Sequence, residues 1–220
     1  MIFYKATRPD GTSFHDQKTT WTVGETVSVA ESDRQVKLCG GGVLHASDAP
    51  GETLLGGSWP CRLFEVEGEP SAHQDHEYGF HELTVIRELP AWQALGPNGE
   101  VVEAHIEKCK TVTPEQVDRL NAAVDAAWGA ARTAAWGAAV DAARDAAWNA
   151  VWGAAWNAVW GAVWNAVWNA VWNAAGNAVW NAARDAAGNS ALALLVRDLI
   201  TPEQFDVLYG PWASVMEVDE

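Results

Sequence analysis

Residues 148–172 read WNAVWGAAWNAVWGAVWNAVWNAVW, a run of four-residue units that each begin with tryptophan. The same unit extends without an insertion over residues 120–191, which is 72 residues or 18 tetrads. The second position is Asn, Asp, Gly or Thr, the third is Ala except at Ser190, and the fourth is Ala or Val. A repeat of this length decides the fold of a third of the chain.

The composition of the repeat predicts an α-helix. Alanine has the highest intrinsic helix propensity, and no proline lies between Pro114 and Pro202. A β-solenoid is the alternative because of the Trp, Val and Asn content, but the Arg-Asp-Ala-Ala units at 144–147 and 184–187 are ordinary helical sequence in the same register. We therefore predict one very long α-helix over residues 113–200, whose repeat alone would span roughly 110 Å.

The spacing of the tetrads also predicts how such helices would associate. Four residues turn about 400° along a helix, so the tryptophan ridge drifts by about 40° per tetrad. Beside the ridge runs a groove of alanine, and small residues four apart allow close, right-handed crossings. The pattern therefore predicts right-handed supercoiled self-assembly.

The amount of tryptophan predicts that the helix is not solitary. Ten repeat tryptophans present on the order of 1,500–2,500 Å² of aromatic surface, whereas monomers seldom expose more than a few hundred Å² in one patch. A hairpin should interrupt the tetrad register, and only Gly176-Asn177 offers a bend. We predict a homo-oligomeric bundle or filament that displays the N-terminal domains.

The asparagines of the second position have two interpretations. They form amide ladders between neighbouring helices, as single buried asparagines do in coiled coils, or they are a solvated stripe. The residues predicted to mediate self-association are Trp128, Trp136, Trp148, Trp152, Trp156, Trp160, Trp164, Trp168, Trp172, Trp180, Asn149, Asn157, Asn165, Asn169 and Asn173.

The sequence before the repeat has the pattern of a small β-rich domain. Short runs rich in β-branched and aromatic residues alternate with Gly- and Pro-containing turns. The predicted fold class is α+β, with a small mostly-β N-terminal domain, the long tetrad-repeat helix and a short C-terminal helix. The predicted domains are residues 1–112, 113–200 and 201–220. The predicted strands are 2–6, 20–23, 26–29, 36–39, 43–45, 63–66 and 83–86, and residues 90–95 are predicted to form a helical turn or two.

Two copies of Thr-Pro-Glu-Gln, at 113–116 and 201–204, predict where helices begin. Each offers a threonine N-cap, proline at the first helical position and glutamine three residues after the cap, which is a capping box. Helices should start at Pro114 and Pro202. The second should be short, because Gly210-Pro211 would end it.

Charge and cysteine content exclude several functions. The chain has 29 acidic and 14 basic residues and no basic patch, so nucleic-acid binding lacks its electrostatic source. The first residues lack the pattern of a signal peptide, and three widely spaced cysteines indicate reduced thiols, so a cytoplasmic location is predicted. Residues 146–183 lack charge over a length that spans a bilayer, but their seven asparagines argue against a membrane span.

Two clusters contain residue types that can carry chemistry. His73, His76 and His81 lie close in sequence but lack paired zinc-ligand spacing, and Cys39-Gly-Gly-Gly-Val-Leu-His45 combines a thiol with an imidazole. Surface histidines and a core cysteine beside a tight turn are the favoured interpretations. No catalytic residue, metal or cofactor is predicted.

The whole chain resembles uncharacterised proteins of actinobacteriophages that pair a small N-terminal domain with an Ala/Trp-rich helical repeat. The resemblance rests on the stretches 4–11, 59–66, 87–100, 195–199 and 210–214, together with the helical tract. It implies a viral protein in the cytoplasm of an infected bacterium and supplies no activity. A module that binds a host factor is the alternative to a self-assembling structural protein. A nucleotide-transferring enzyme comes third, because Tyr4-Lys-Ala and Gly42-Val-Leu-His45 are similar to ADP-ribosyltransferases.

Overall fold

A computed structural model describes residues 1–38, 42–150, 159–169 and 181–217. Within the helices it gives no side-chain account of residues 127–136, 146–150, 181 and 182. The chain divides into two compact units, Met1–Gly96 and Pro97–Glu220. The first is built on a β-sheet and the second on packed helices.

The first unit contains a seven-stranded sheet in the order β2-β7-β4-β1-β3-β6-β5. All of its strand pairs are antiparallel. The β-rich prediction for this region is therefore confirmed. The strands are β1 (Ile2–Thr7), β2 (Thr26–Ser28), β3 (Leu44–Ser47), β4 (Arg62–Glu67), β5 (Pro70–Gln74), β6 (Glu77–Phe80) and β7 (Glu82–Leu89).

The strand predictions fail at two places. Residues 20–23 contribute only a single bridge, from Thr20 to Thr12, and residues 36–38 are not a strand. The hairpin β5–β6 was missed because its sequence is poor in β-branched residues. Asp75, at a φ of 52°, makes its turn, and Pro70 is tolerated because β5 is an edge strand.

Side chains that alternate between the two faces of the sheet put apolar residues on one face, which forms the core of the first unit. Phe3 pairs with Val66 across β1 and β4, and both are fully buried on the same face of the sheet. Trp21 covers this face, and its indole Nε1 donates a hydrogen bond to Ser13 Oγ at 2.8 Å. Ala91–Leu95 forms the predicted short helical turn, as a 3-10 helix.

The second unit contains the helices α1 (Gly99–Cys109), α2 (Pro114–Ala150), α3 (described over residues 159–169), α4 (Asn181–Leu195) and α5 (Pro202–Met216). Both capping boxes form as predicted. In the second box, Thr201 Oγ1 accepts a hydrogen bond from the Gln204 N–H, and Gln204 Oε1 accepts one from the Thr201 N–H. Helix α2 begins at Pro114 and α5 at Pro202.

The predicted stop at Gly210-Pro211 is wrong, because α5 continues through Pro211 to Met216. Proline removes one helical hydrogen bond and crowds the preceding turn. Here the turn after it is held by packing, since Trp212 and Val215 are 1% and 3% exposed. Burial of these side chains outweighs the local preference.

The prediction of a single long helix over residues 113–200 is also wrong. Asn121 Oδ1 accepts a hydrogen bond from the backbone N–H of Ala183 at 2.8 Å, and α2 packs against both α4 and α5. In one straight helix the 62 residues between Asn121 and Ala183 would span roughly 90 Å. The predicted right-handed supercoiled rod is therefore not formed. Packing within one chain covers apolar surface without the entropic cost of bringing chains together.

Candidate functional site

The contact between α3 and α4 shows how the repeat packs on itself. Arg184 Cζ lies 5.2 Å from the Trp168 ring centroid and 6.0 Å from that of Trp164. A β-carbon on Gly188 would overlap the Trp164 ring. Four residues further along α3, from Trp164 to Trp168, the contact lies four residues earlier in α4, at Arg184 and not Gly188. The two segments are therefore antiparallel. All four residues are the first residues of their tetrads. The chain can therefore reverse direction between α3 and α4 without a break in the tetrad register.

The buried edge of α3 is formed by alanine and valine, not by tryptophan. Val163 and Val167 are 0% and 1% exposed, and the neighbouring buried positions are likewise third or fourth positions. Trp164 and Trp168 are half-buried, as is Trp160, whose ring centroid lies 5.5 Å from that of Trp164. The helix therefore buries its aliphatic stripe within the chain and leaves its indoles at the margin.

The tetrad position that is buried changes along α2. Its early first positions Leu120 and Val124 are buried, whereas 19 residues further on the buried residues are the fourth positions Ala139 and Ala143. Arg144, a first position, is exposed there. A separation of 19 residues is about five turns and a further 100°. The buried face therefore moves around α2 by about 100° between these two places.

Few of the predicted self-association residues have described side chains. Asn165 and Asn169 are exposed, and the structure shows no amide ladder between these two and any other described residue. Trp128, Trp136, Trp148 and Asn149 lie in α2, but their side chains are outside the described set. The remaining ones lie outside the described residues altogether: Trp152, Trp156, Asn157, Trp172, Asn173 and Trp180.

A polar cluster lies inside the second unit where α1, α4 and α5 meet. Nε2 of His105 is 3.1 Å from both the Ala187 carbonyl oxygen and Ser190 Oγ, and 3.6 Å from Cys109 Sγ. The imidazole also packs on Trp212, with ring centroids 4.5 Å apart. Ser190 is the one third position that is not alanine, and its hydroxyl donates to the same Ala187 carbonyl at 2.9 Å.

Burial determines the chemistry of this cluster. It lowers the pKa of His105 to about 4, so the imidazole is neutral at pH 7, and it raises the pKa of the Cys109 thiol. A cysteine nucleophile needs a thiolate and access to substrate. Cys109 and Ser190 are each 0% exposed. The cluster therefore joins helices and does not provide a nucleophile.

Lys5 is the most distinctive titratable group of the first unit. It lies directly opposite Phe64 in the β1–β4 pairing, on the face of the sheet that carries Phe3, and it is half-buried. Its Nζ is 5.3 Å from the centroid of the Trp21 ring. In the described part of the chain, no carboxylate oxygen lies within 4.0 Å of this amine.

Burial lowers the pKa of Lys5 to about 8, against the opposing influence of the Asp16 and Glu77 carboxylates. His45 and Glu77 lie on the opposite face of the sheet, the face of Tyr4 and Ser47, and His45 Nε2 is 3.6 Å from Glu77 Oε1. Burial lowers the pKa of His45, Glu77 opposes this shift, and the charges of Lys5 and His15 add to it.

His73, His76 and His81 of the first unit each contact a different partner. His76 Nδ1 is 2.8 Å from Asp48 Oδ1, and this hydrogen bond raises the pKa of His76. The His73 ring stacks on Tyr78, while His81 Nε2 is 2.7 Å from the Gln35 carbonyl. Among the residues whose positions are given, no three His, Cys, Asp or Glu side chains gather as metal ligands would. Cys39, proposed beside His45, lies outside those residues.

Comparisons with protein-family models, with curated proteins and with solved structures found no match to this chain. The resemblance to actinobacteriophage proteins therefore stays a prediction. Over the described ranges, no helix combines the length with the apolar character needed to cross a membrane.

Proposed function

We propose that this chain is a structural protein that associates with copies of itself through its tetrad-repeat helices. The observation that carries the proposal is the pairing between first positions of α3 and α4. There Trp164 packs against Gly188 and Trp168 against Arg184. A small residue makes room for an indole, and an arginine stacks on its face.

We call the glycines and arginines at first positions receivers, because a tryptophan ring packs against them. The pairing supports association between chains because the repeat contains more tryptophans than receivers. Its first positions include ten tryptophans but only five glycines or arginines. If each receiver takes one ring, about half of the indoles have no receiver within their own chain. The five receivers are Arg132, Arg144, Gly176, Arg184 and Gly188.

The exposed side of α3 suits contact with another copy. Asn165 and Asn169 are exposed beside the half-buried Trp164 and Trp168, and residues 159–169 include no charged residue. Such a surface offers amides and indole edges without like-charge repulsion, although the chain as a whole carries a net charge of −15. Aromatic side chains with polar neighbours are typical of interface cores.

The test is the mass of the full chain by light scattering after gel filtration, measured over increasing protein concentration. We expect the wild type to be oligomeric, and Asn165→Asp with Asn169→Asp to reduce the mass, because the two charges on each copy repel. The matched control adds two charges to an exposed loop of the first unit, with Thr22→Asp and Val23→Asp, and should leave the mass unchanged. A wild type that stays monomeric at every concentration contradicts the proposal. So does an α3 variant whose mass equals that of the wild type.

A further inference from the structure

We propose that the first unit binds a small zwitterion with more positive than negative groups, such as a basic amino acid, in a groove at one end of its sheet. The groove has a volume of about 680 Å³, which is within the range of small-molecule sites. The β4–β5 connection, the start of β7 and the loop after β2 all contribute to its lining. The carboxylate and guanidinium side chains that line it are Arg34, Glu67, Glu69 and Glu82.

The strand register places two of the carboxylates on one face of the sheet. Glu67 of β4 lies directly opposite Thr84 of β7, and Glu82 is two residues before Thr84 on the same strand. Because successive side chains of a strand project on opposite faces, these three project on the same face. Leu83, between Glu82 and Thr84, is fully buried in the core on the other face. The two carboxylates therefore point away from the core, and both residues are exposed.

Gly68 brings the third carboxylate to the same place. A β-carbon on Gly68 would lie 2.5 Å from the Glu82 carbonyl oxygen and 3.0 Å from Leu83 Cδ2, so a side chain there would push the β4–β5 connection away from β7. Glu67 and Glu69 are the sequence neighbours of Gly68. The close backbone approach therefore holds both of them near Glu82. Among the described residues, no cation forms an ion pair with any of the three carboxylates.

A series of hydrogen bonds holds Arg34 near the start of β7. The Val29 N–H donates to the His81 carbonyl oxygen at 2.8 Å, and Arg34 Nε donates to the Val29 carbonyl oxygen at 3.2 Å. His81 Nε2 lies 2.7 Å from the Gln35 carbonyl oxygen, and His81 directly precedes Glu82. In the part of the chain that the structure describes, the Arg34 guanidinium has no carboxylate partner, so its terminal nitrogens can bind a ligand.

These charges define the chemistry of the ligand. A guanidinium binds a carboxylate through two parallel hydrogen bonds, and a carboxylate binds ammonium or guanidinium groups. Because Arg34 does not pair with the carboxylates of its own groove, a ligand that satisfies both kinds of group must carry both signs of charge. Three carboxylates against one guanidinium favour a ligand with an excess of positive groups. L-Arginine, with one carboxylate and two cationic groups, has this composition.

The test is isothermal titration calorimetry of the full chain with L-arginine and with agmatine, which is arginine without its carboxylate. Non-specific attraction to a chain of net charge −15 favours agmatine, because agmatine carries one more positive charge. We expect saturable binding of one L-arginine per chain with a Kd of about 1 mM or lower, and no tighter binding of agmatine. The proposal is overturned if L-arginine shows no saturable binding up to about 10 mM, or if agmatine binds more tightly.

Two variants assign the two ends of the ligand. Arg34→Gln should weaken L-arginine binding about five- to tenfold and leave agmatine binding unchanged, because agmatine has no carboxylate. Glu82→Gln should weaken the binding of both ligands. The matched controls, Lys37→Gln and Glu31→Gln, remove exposed charges outside the groove and should change neither affinity. All four positions are exposed, so the circular dichroism spectra should match that of the wild type. Controls that weaken L-arginine binding as much as the groove variants contradict the assignment, as does an Arg34→Gln protein that loses affinity for both ligands equally.

Discussion

The indole of Trp164 occupies the space next to the α-carbon of Gly188, where a tryptophan at this first position of the repeat would otherwise project. Two further departures from the repeat consensus in α4 also coincide with contacts. Arg184 stacks on Trp168, and Ser190, in place of alanine, bonds to His105. The irregular positions of the repeat therefore specify where its helices meet.

Gly188→Ala tests this relationship directly. The added methyl group must displace the Trp164 ring, so we expect the free energy of unfolding to fall by about 1–2 kcal/mol in urea titrations. Gly161→Ala is the matched control, because Gly161 is also helical and a β-carbon added there would meet no described atom within 4 Å. It should stabilise the protein by up to about 1 kcal/mol through helix propensity. Equal stabilisation by both changes would refute the contact.

The stacking of Arg184 on Trp168 predicts an interaction energy. In a double-mutant cycle with Arg184→Met and Trp168→Leu, we expect a coupling of about 0.5–1 kcal/mol, measured from unfolding free energies. Arg144→Met replaces an exposed arginine at another first position, and it should show no coupling to Trp168→Leu. A coupling as large for Arg144 as for Arg184 would mean that the ring contact is not its source.

Asn121 is expected to anchor the start of α4. Its Oδ1 accepts a hydrogen bond from the N–H of Ala183, in the first described turn of α4. Asn121→Ala should therefore lower the unfolding free energy by about 1 kcal/mol. Asn165→Ala, at an exposed second position, should change it by no more than a few tenths of a kcal/mol. The prediction fails if the two substitutions have the same effect.

His105 predicts a pH dependence of stability. Its pKa is about 4 when folded and near 6.5 when unfolded, so the unfolded chain takes up a proton first as the pH falls. Stability from this residue is complete above about pH 6.5 and declines towards pH 4, by up to about 1.4 kcal/mol per pH unit. His105→Gln should flatten the slope between about pH 7 and about pH 5 in urea titrations. Cys109→Ala, in the same cluster, should retain it.

Local signals in the sequence predicted local structure well. Both Thr-Pro-Glu-Gln motifs begin helices because the cap, the proline and the glutamine all act within four residues. Where several local preferences agree, the start of a helix can be predicted without information from the rest of the chain.

Long-range contacts explain what the sequence did not predict. The reversal of the repeat depends on Trp164 meeting Gly188, and a uniform tetrad pattern does not reveal which first positions pair. Pro211 was expected to end α5, but the burial of Trp212 keeps the helix intact. Lys5 was missed because only the strand register places it opposite Phe64, although its spacing from Phe3 is a signal that could have found it.

The hydrogen bond between Asn121 and Ala183 has a consequence for biosynthesis. At about 5–20 residues per second, the 62 residues that separate the two partners take roughly 3–12 s to translate. During that interval the start of α2 emerges from the ribosome before α4 exists to pack against it. We expect the first half of the repeat to lack this contact until the second half has left the ribosome.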